Sequence, residues 1–187
     1  MLPCTFADPM LRGGAVINPD RSVSIVLINR GPGKTVTVDC SSWKTRVDGT
    51  PALHQPLRRY VYEAAHVPYS PFNDLQPMSG TVAAKDGTFS VALPAKSITF
   101  LTTDYVDRQP AAVAGLRIAN GLLAWEPSEE PEHRYYRVFK DGKQIASTVA
   151  TSLDLGGAQL AATATDAINC VPPVFSVKSV DKWGNFR

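Results

Sequence analysis

Apolar and polar residues alternate with a period of two along several short runs of this chain, and long runs of helical period are nearly absent. Ser22 to Asn29 (SVSIVLIN) places Val23, Ile25 and Leu27 on one face. Val26 and Ile28 make the other face apolar too, so this strand is expected in the middle of a sheet. Thr35 to Asp39 (TVTVD) is β-branched at every position before Asp39 and reads as the next strand. Gly31-Pro32-Gly33-Lys34 between them has turn chemistry, which predicts a hairpin. Leu57 to Ala64, Thr88 to Leu93 and Ser97 to Thr102 supply three further strands. An Asp86-Gly87 turn precedes the second of these, and Pro94-Ala95-Lys96 separates it from the third.

Fifteen prolines and 13 glycines are spread throughout and break the chain into strands at roughly the 8–12-residue spacing of sandwiches. Residues 1–105 therefore read as one antiparallel β-sandwich. Residues 106–113 lie in a stretch that mixes charge, Pro and small side chains without period, and they read as a linker. Residues 114–187 read as a second module. Its strands are Leu116 to Ile118, Leu122 to Trp125 with Trp125 inward, Tyr135 to Phe139, Gln144 to Ser147 after an Asp141-Gly142 turn, and Phe175 to Val180. The stretch up to Asp166 is rich in Ala and Thr and poorly patterned. No run after Val180 serves as a seventh, closing strand, so a truncated module or an edge covered by another part of the chain is expected. The fold class is all-β: two antiparallel β-sandwich modules in tandem.

Composition narrows the function classes. With 44% hydrophobic residues, the 187-residue chain can bury a core. Nineteen basic and 17 acidic residues leave a net charge of +2, without a basic run, which argues against nucleic acid as a partner. No apolar stretch approaches the roughly 18 residues that span a membrane. MLPCTFADPM has neither the basic start nor the apolar run of a signal peptide, so a cytoplasmic protein or a piece of a larger secreted one is expected. Cys4, Cys40 and Cys170 are odd in number and form no C-x-x-C; Cys40 and Cys170 read as small core hydrophobes.

Catalytic chemistry finds little support. Glu126, Glu129, Glu130 and Glu132 fall in WEPSEEPEH, which Pro127 and Pro131 mark as a solvated loop. His54, His66 and His133 are far apart and lack metal-ligand spacing, so no metal and no cofactor is expected. Ser41 and Ser42 lack the Gly-x-Ser-x-Gly elbow, and Gly31-Pro32-Gly33-Lys34 lacks the spacing of a phosphate loop. The aromatic residues are the candidates. Trp43, Tyr60, Tyr62, Tyr69 and Phe72 crowd the first module, with Tyr60 and Tyr62 on one strand face by the period of two. Such rings stack on sugars when exposed, or pack into the core or against a neighbouring domain. His66 to Ser79 (HVPYSPFNDLQPMS) holds three prolines with Tyr69, Phe72, Leu75 and Met78. A stiff loop of this content is expected to pack on a partner or over its own sandwich, and to leave apolar surface exposed when alone.

Three passages, in order, resemble the region that follows the catalytic barrel in glycoside hydrolase family 39, which includes β-xylosidases and α-L-iduronidase. The first is RRYVYEAAHVPYSPFNDLQPMSG, Arg58 to Gly80. The second is ALPAKSITFLTT, Ala92 to Thr103, similar to a strand pair that closes the accessory sandwich of many related glycosidases. The third is the tail GLLAWEPS, YYRVFKDGKQIAST and FSVKSVDKWGN, which resembles a fibronectin type III or immunoglobulin-like module. Two departures stand out: Phe175 where that module usually has a corner Tyr, and the missing last strand. The resemblance supplies no active site. Its retaining enzymes place two Glu about 5–5.5 Å apart on a barrel of roughly 200–250 residues. This chain has no Asn-Glu dipeptide and no room for a barrel. The resemblance implies a non-catalytic accessory region that packs on, or spaces, the (β/α)8 barrel of a glycosidase. The alternative is a stand-alone module that binds polysaccharide or protein, including a dimer through the exposed face.

Overall fold

The computed structural model describes residues 5–43, 53, 55–106, 108–156, 163–164 and 170–187. Cys4 and His54 lie outside the described residues, as does most of the Ala/Thr-rich stretch before Asp166. The fold is all-β, and every strand pair is antiparallel. The chain divides into two compact units, Met1–Pro71 with Leu75–Val106, and Phe72–Asp74 with Asp107–Arg187.

The first unit contains β1 (Leu11–Ile17), β2 (Val23–Asn29), β3 (Lys34–Asp39), β4 (Leu57–Glu63), β5 (Gly80–Val82), β6 (Thr88–Leu93) and β7 (Ser97–Thr102). One sheet runs β1-β2-β7-β4-β5, and β3 pairs with β6 in a second. The expected hairpin of β2 with β3 does not form. Gly31 to Lys34 instead carries the chain from one sheet to the other, and Asn29 holds that crossing. Its buried amide Nδ2 donates to the carbonyls of Pro32 and Pro94, 2.8 Å each, and its Oδ1 accepts from Gly31 N–H at 3.0 Å. A β-branched run beside a turn therefore named the strands and not their partner.

The core fills the space between these sheets, with Val23, Ile25, Leu27, Leu57 and Leu101 from one and Phe89, Val91 and Leu93 from the other. Cys40 is buried among them. Burial of this kind is worth about 1.5–3 kcal/mol per large side chain. β1 was not read from the sequence because Gly13-Gly14 breaks its pattern. The structure explains Gly13: a Cβ there would stand 2.4 Å from the Val26 carbonyl oxygen.

The second unit contains β8 (Arg117–Ala119), β9 (Leu122–Ala124), β10 (His133–Lys140), β11 (Lys143–Thr148), β12 (Ser152–Asp154), β13 (Thr163–Ala164), β14 (Cys170–Val171) and β15 (Phe175–Asp181). Two three-stranded sheets, β12-β9-β8 and β11-β10-β15, enclose Leu123, Trp125, Tyr136, Val138, Leu155, Phe175 and Val177. Trp125 packs edge-on against Tyr136, ring centres 5.4 Å apart. The Tyr136 hydroxyl accepts from Ser128 N–H at 2.8 Å, tying the WEPS loop to the sheet. The expectation of a solvated Glu loop is corrected at Glu130, whose largely buried carboxylate pairs with Arg108 at 2.7 Å.

Candidate functional site

Antiparallel register puts directly opposed residues on one face. In the first unit this builds an outward face of the five-stranded sheet in three rows. Gly14, Val26, Phe100 and Tyr60 form the middle row. Arg12, Ile28, Ile98 and Tyr62 lie on one side of it, and Val16, Ser24, Thr102 and Arg58 on the other. An antiparallel sheet with one solvated face should alternate apolar and polar. β2 and β7 do not, because Val26, Ile28, Ile98 and Phe100 carry apolar side chains outward.

The face has shape as well as character. Tyr60 and Phe100 lie with ring centres 6.2 Å apart, inclined at 43°. Beside them a depression of about 410 Å3 is lined by Gly14, Ala15, Val16, Ser24, Val26 and Phe100. It exists because Gly14 has no side chain to fill it, and no atom stands within 4 Å of where its Cβ would be. Ile98 is 45% exposed and Tyr62 37%. Partial burial, and then the neighbouring Tyr60, push the Tyr62 hydroxyl above its usual range. Polar groups sit at the border: Ser24 and Thr102 hydroxyls are 3.2 Å apart, and the buried Arg58 guanidinium lies 4.3 Å from the Tyr105 ring.

The five sequence candidates therefore separate. Tyr60 and Tyr62 share the outward face. Trp43 is corrected: it is 7% exposed and packs in the first core, so its ring offers no surface to a ligand. Tyr69 is 49% exposed, in the segment after the 3-10 turn Ala64–His66, and Leu75 and Met78 are exposed near it. Phe72 belongs with Asn73 and Asp74 to the second unit. There the Asp74 carboxylate is buried against β10 and β11. It accepts from Gln144 Nε2 at 3.0 Å and from the Ser147 hydroxyl, and Arg137 Nε stands 3.4 Å away. That Arg137 nitrogen makes no hydrogen bond, so its contact with the Asp74 carboxylate is one of charge. Sequence reasoning missed Val16, Val26, Ile28, Ile98 and Phe100 as surface residues. The doubly apolar pattern of SVSIVLIN and the Ile-Thr-Phe of β7 was the available signal.

Among the described residues no group of three or more His, Cys, Asp or Glu is placed to hold a metal ion. Among the described residues no helix is long and apolar enough to cross a membrane.

No protein-family model matches the chain, and no curated protein does. Several solved structures are similar over about half of it. A GH30 endoxylanase from Clostridium papyrosolvens C71 aligns at 18% identity and TM-score 0.39, over 53% of this chain and 21% of that one. The GH30 subfamily 8 xylanase Xyn30A from Clostridium acetobutylicum aligns at 19% and 0.36, over 51% and 20%. The spore cortex lytic enzyme SleM from Clostridium perfringens aligns at 19% and 0.36, over 56% and 32%. The chain thus spans a fifth to a third of those proteins' lengths. Likenesses this distant do not show membership of glycoside hydrolase family 39, nor a shared activity.

Proposed function

We propose that this chain is a non-catalytic accessory region of a glycoside hydrolase-like protein, whose first unit packs against a catalytic (β/α)8 barrel. The observation that carries the reading is the outward face of the five-stranded sheet. Val26, Ile28, Ile98, Phe100, Tyr60 and Tyr62 make it apolar across three adjoining strands. A face of that composition is stable in water but gains when a partner covers it, at about 25 cal/mol per Å2 of apolar surface removed from water. The ordered passages Arg58 to Gly80 and Ala92 to Thr103 support this occupant, since both resemble family 39 accessory segments and both contribute strands to this sheet. The second unit, in the same reading, is a fibronectin type III-like spacer or brace.

The test mixes the chain with the catalytic barrel of a family 39 β-xylosidase stripped of its own accessory sandwich. A complex should form on a sizing column, and Ile98→Asp or Gly14→Arg should abolish it without lowering the melting temperature. Absence of a complex, or indifference to both substitutions, overturns the docking role. Turnover of nitrophenyl xyloside by the chain alone, lost on changing one Glu, overturns the non-catalytic role.

A second reading, a carbohydrate-binding module, is favoured by the exposed rings of Tyr62 and Tyr69. Retardation in xylan-containing gels, lost in Tyr62→Ala or Tyr69→Ala, would select it.

A further inference from the structure

The two edges of the β11-β10-β15 sheet differ in kind. β11 carries no buried residue, and its register is broken at Ile145, which is left unpaired where Val138 and Phe139 face Ala146 and Gln144. It is a blunted edge of the sort that resists further pairing. β15 pairs only with β10 among the described residues, yet five of its seven residues are buried and its ladder runs unbroken from Phe175 to Val180. That is the burial of a strand with neighbours on both sides.

The backbone shows which groups are left over. Lys182 N–H donates to Glu132 O at 2.9 Å, and at the other end Asp141 N–H donates to Val174 O at 2.8 Å while Val174 N–H donates to the Asp141 carboxylate at 2.8 Å. Even-numbered residues therefore direct their amides toward β10. By alternation Phe175, Val177 and Ser179 direct N–H and C=O to the opposite side. Asp181 confirms the phase, because its N–H donates away from β10, to Asn185 O at 3.1 Å.

The chain also begins a ladder on that side. The Asp181 carboxylate accepts from Trp183 N–H and Asn185 N–H, 2.9 Å each, and from the Asn185 side chain at 2.9 Å. Gly184 takes φ +85°, which favours glycine, and the turn reverses the chain. Phe186 then forms an antiparallel bridge with Val180. Its ring lies 4.8 Å from the Arg137 guanidinium and 5.3 Å from Lys178 Nζ.

We propose that the edge of β15 away from β10, which no other described strand covers, is a strand-accepting site for an extended peptide running antiparallel to it, in the register that Phe186 opens. Backbone pairing with Phe175, Val177 and Ser179 supplies the affinity, and side chains supply the selection. In that register Arg187 lies opposite Ser179, and the residues opposite Phe175 and Val177 face the core between the sheets, so they are apolar. The residue opposite Lys178 faces outward beside Lys178 and Arg137, so it is acidic.

The probe is the sequence Glu-Val-Thr-Val appended after Arg187, which holds the strand at high effective concentration. Pro in place of both Val gives the control. Amide hydrogen exchange is the readout. The appended strand should slow exchange at least tenfold at Phe175, Val177 and Ser179 and leave Ser176 and Lys178, already paired to β10, unchanged. The Pro control should slow none. Three results would overturn the proposal: no slowing, slowing without the period of two, or odd-numbered amides already as slow as even ones in the unextended chain. Slowing that appears in the unextended chain as its concentration rises would give the edge to a second copy and overturn it as well.

Discussion

Replacing Asp74 with Ala should be the most destabilising single change available in the second unit outside its apolar core. The Asp74 side chain is 2% exposed and that of Arg137 14%. Truncation would remove the acceptor of Gln144 Nε2 and of the Ser147 hydroxyl and leave the Arg137 cation without this counter-charge. Hydrogen bonds to a charged acceptor are worth about 1.5–3 kcal/mol each, and breaking a buried ion pair from one side costs about 3–5 kcal/mol. These overlap, so the expected loss is about 3–5 kcal/mol rather than their sum. Asp74→Asn keeps the shape and one acceptor but loses the charge, and should fall between Ala and the native protein. The Asp74→Leu, Arg137→Met pair removes both charges and should recover part of the loss, because a buried pair replaced by apolar groups is often close to neutral. Urea denaturation followed at the amide resonances of Val138 and Val177 reads the second unit specifically. A loss below about 1 kcal/mol in Asp74→Ala, the range of an exposed pair, would refute the account of a buried anchor.

Leu101→Ala should cost about 2–5 kcal/mol, as a fully buried Leu does, whereas Ile98→Thr on the opposite face of the same strand should stay within about 1 kcal/mol; thermal melts of the two variants check the assignment of faces. Asn29→Ala strands the Gly31 amide and frees two carbonyls, and should lower stability by about 2–4 kcal/mol in chemical denaturation. Burial, and then Arg134, hold the His133 imidazole below its ordinary value of 6.5. The unfolded chain then takes up this proton at a higher pH than the folded one. Stability should fall as pH drops from about 6.5 through the lowered folded value, and His133→Gln should flatten that part of a melting-temperature profile.

Strands that repeat with period two were legible before the structure. Thr88 to Leu93 and Ser97 to Thr102 carry the same ends in both, because alternation and flanking turns are local signals. Strand partners were not. SVSIVLIN and TVTVD look like a hairpin, yet their ladders lie in different sheets, a choice made by Asn29 reaching Pro94, 65 residues away. Trp43 stood open between a surface ring and a core one, and nothing near CSSW announces that the chain turns inward there. Of the outward face, Tyr60 and Tyr62 were read and Ile98 and Phe100 were not: Ile-Thr-Phe in β7 marks two apolar residues on one face, but only register places them opposite Tyr62 and Tyr60. The placement of Asp74 with the second unit had no local signal, because its partners Arg137, Gln144 and Ser147 lie some seventy residues on.

The order β1-β2-β7 also sets a timetable. β1 and β2 are made first and can pair at once, but β2 meets its other neighbour only when Thr102 joins Ser24, 78 residues later. At roughly 5–20 residues per second on the ribosome, that is a wait of about 4–16 s. An isolated two-stranded hairpin is marginal in water, and this one shows Val23, Ile25 and Leu27 on one side and Val26 and Ile28 on the other. The nascent first unit therefore passes several seconds as a sticky ribbon. Its yield in the cell should depend on what shields β2 until β7 emerges, more than on the stability of the finished sheet.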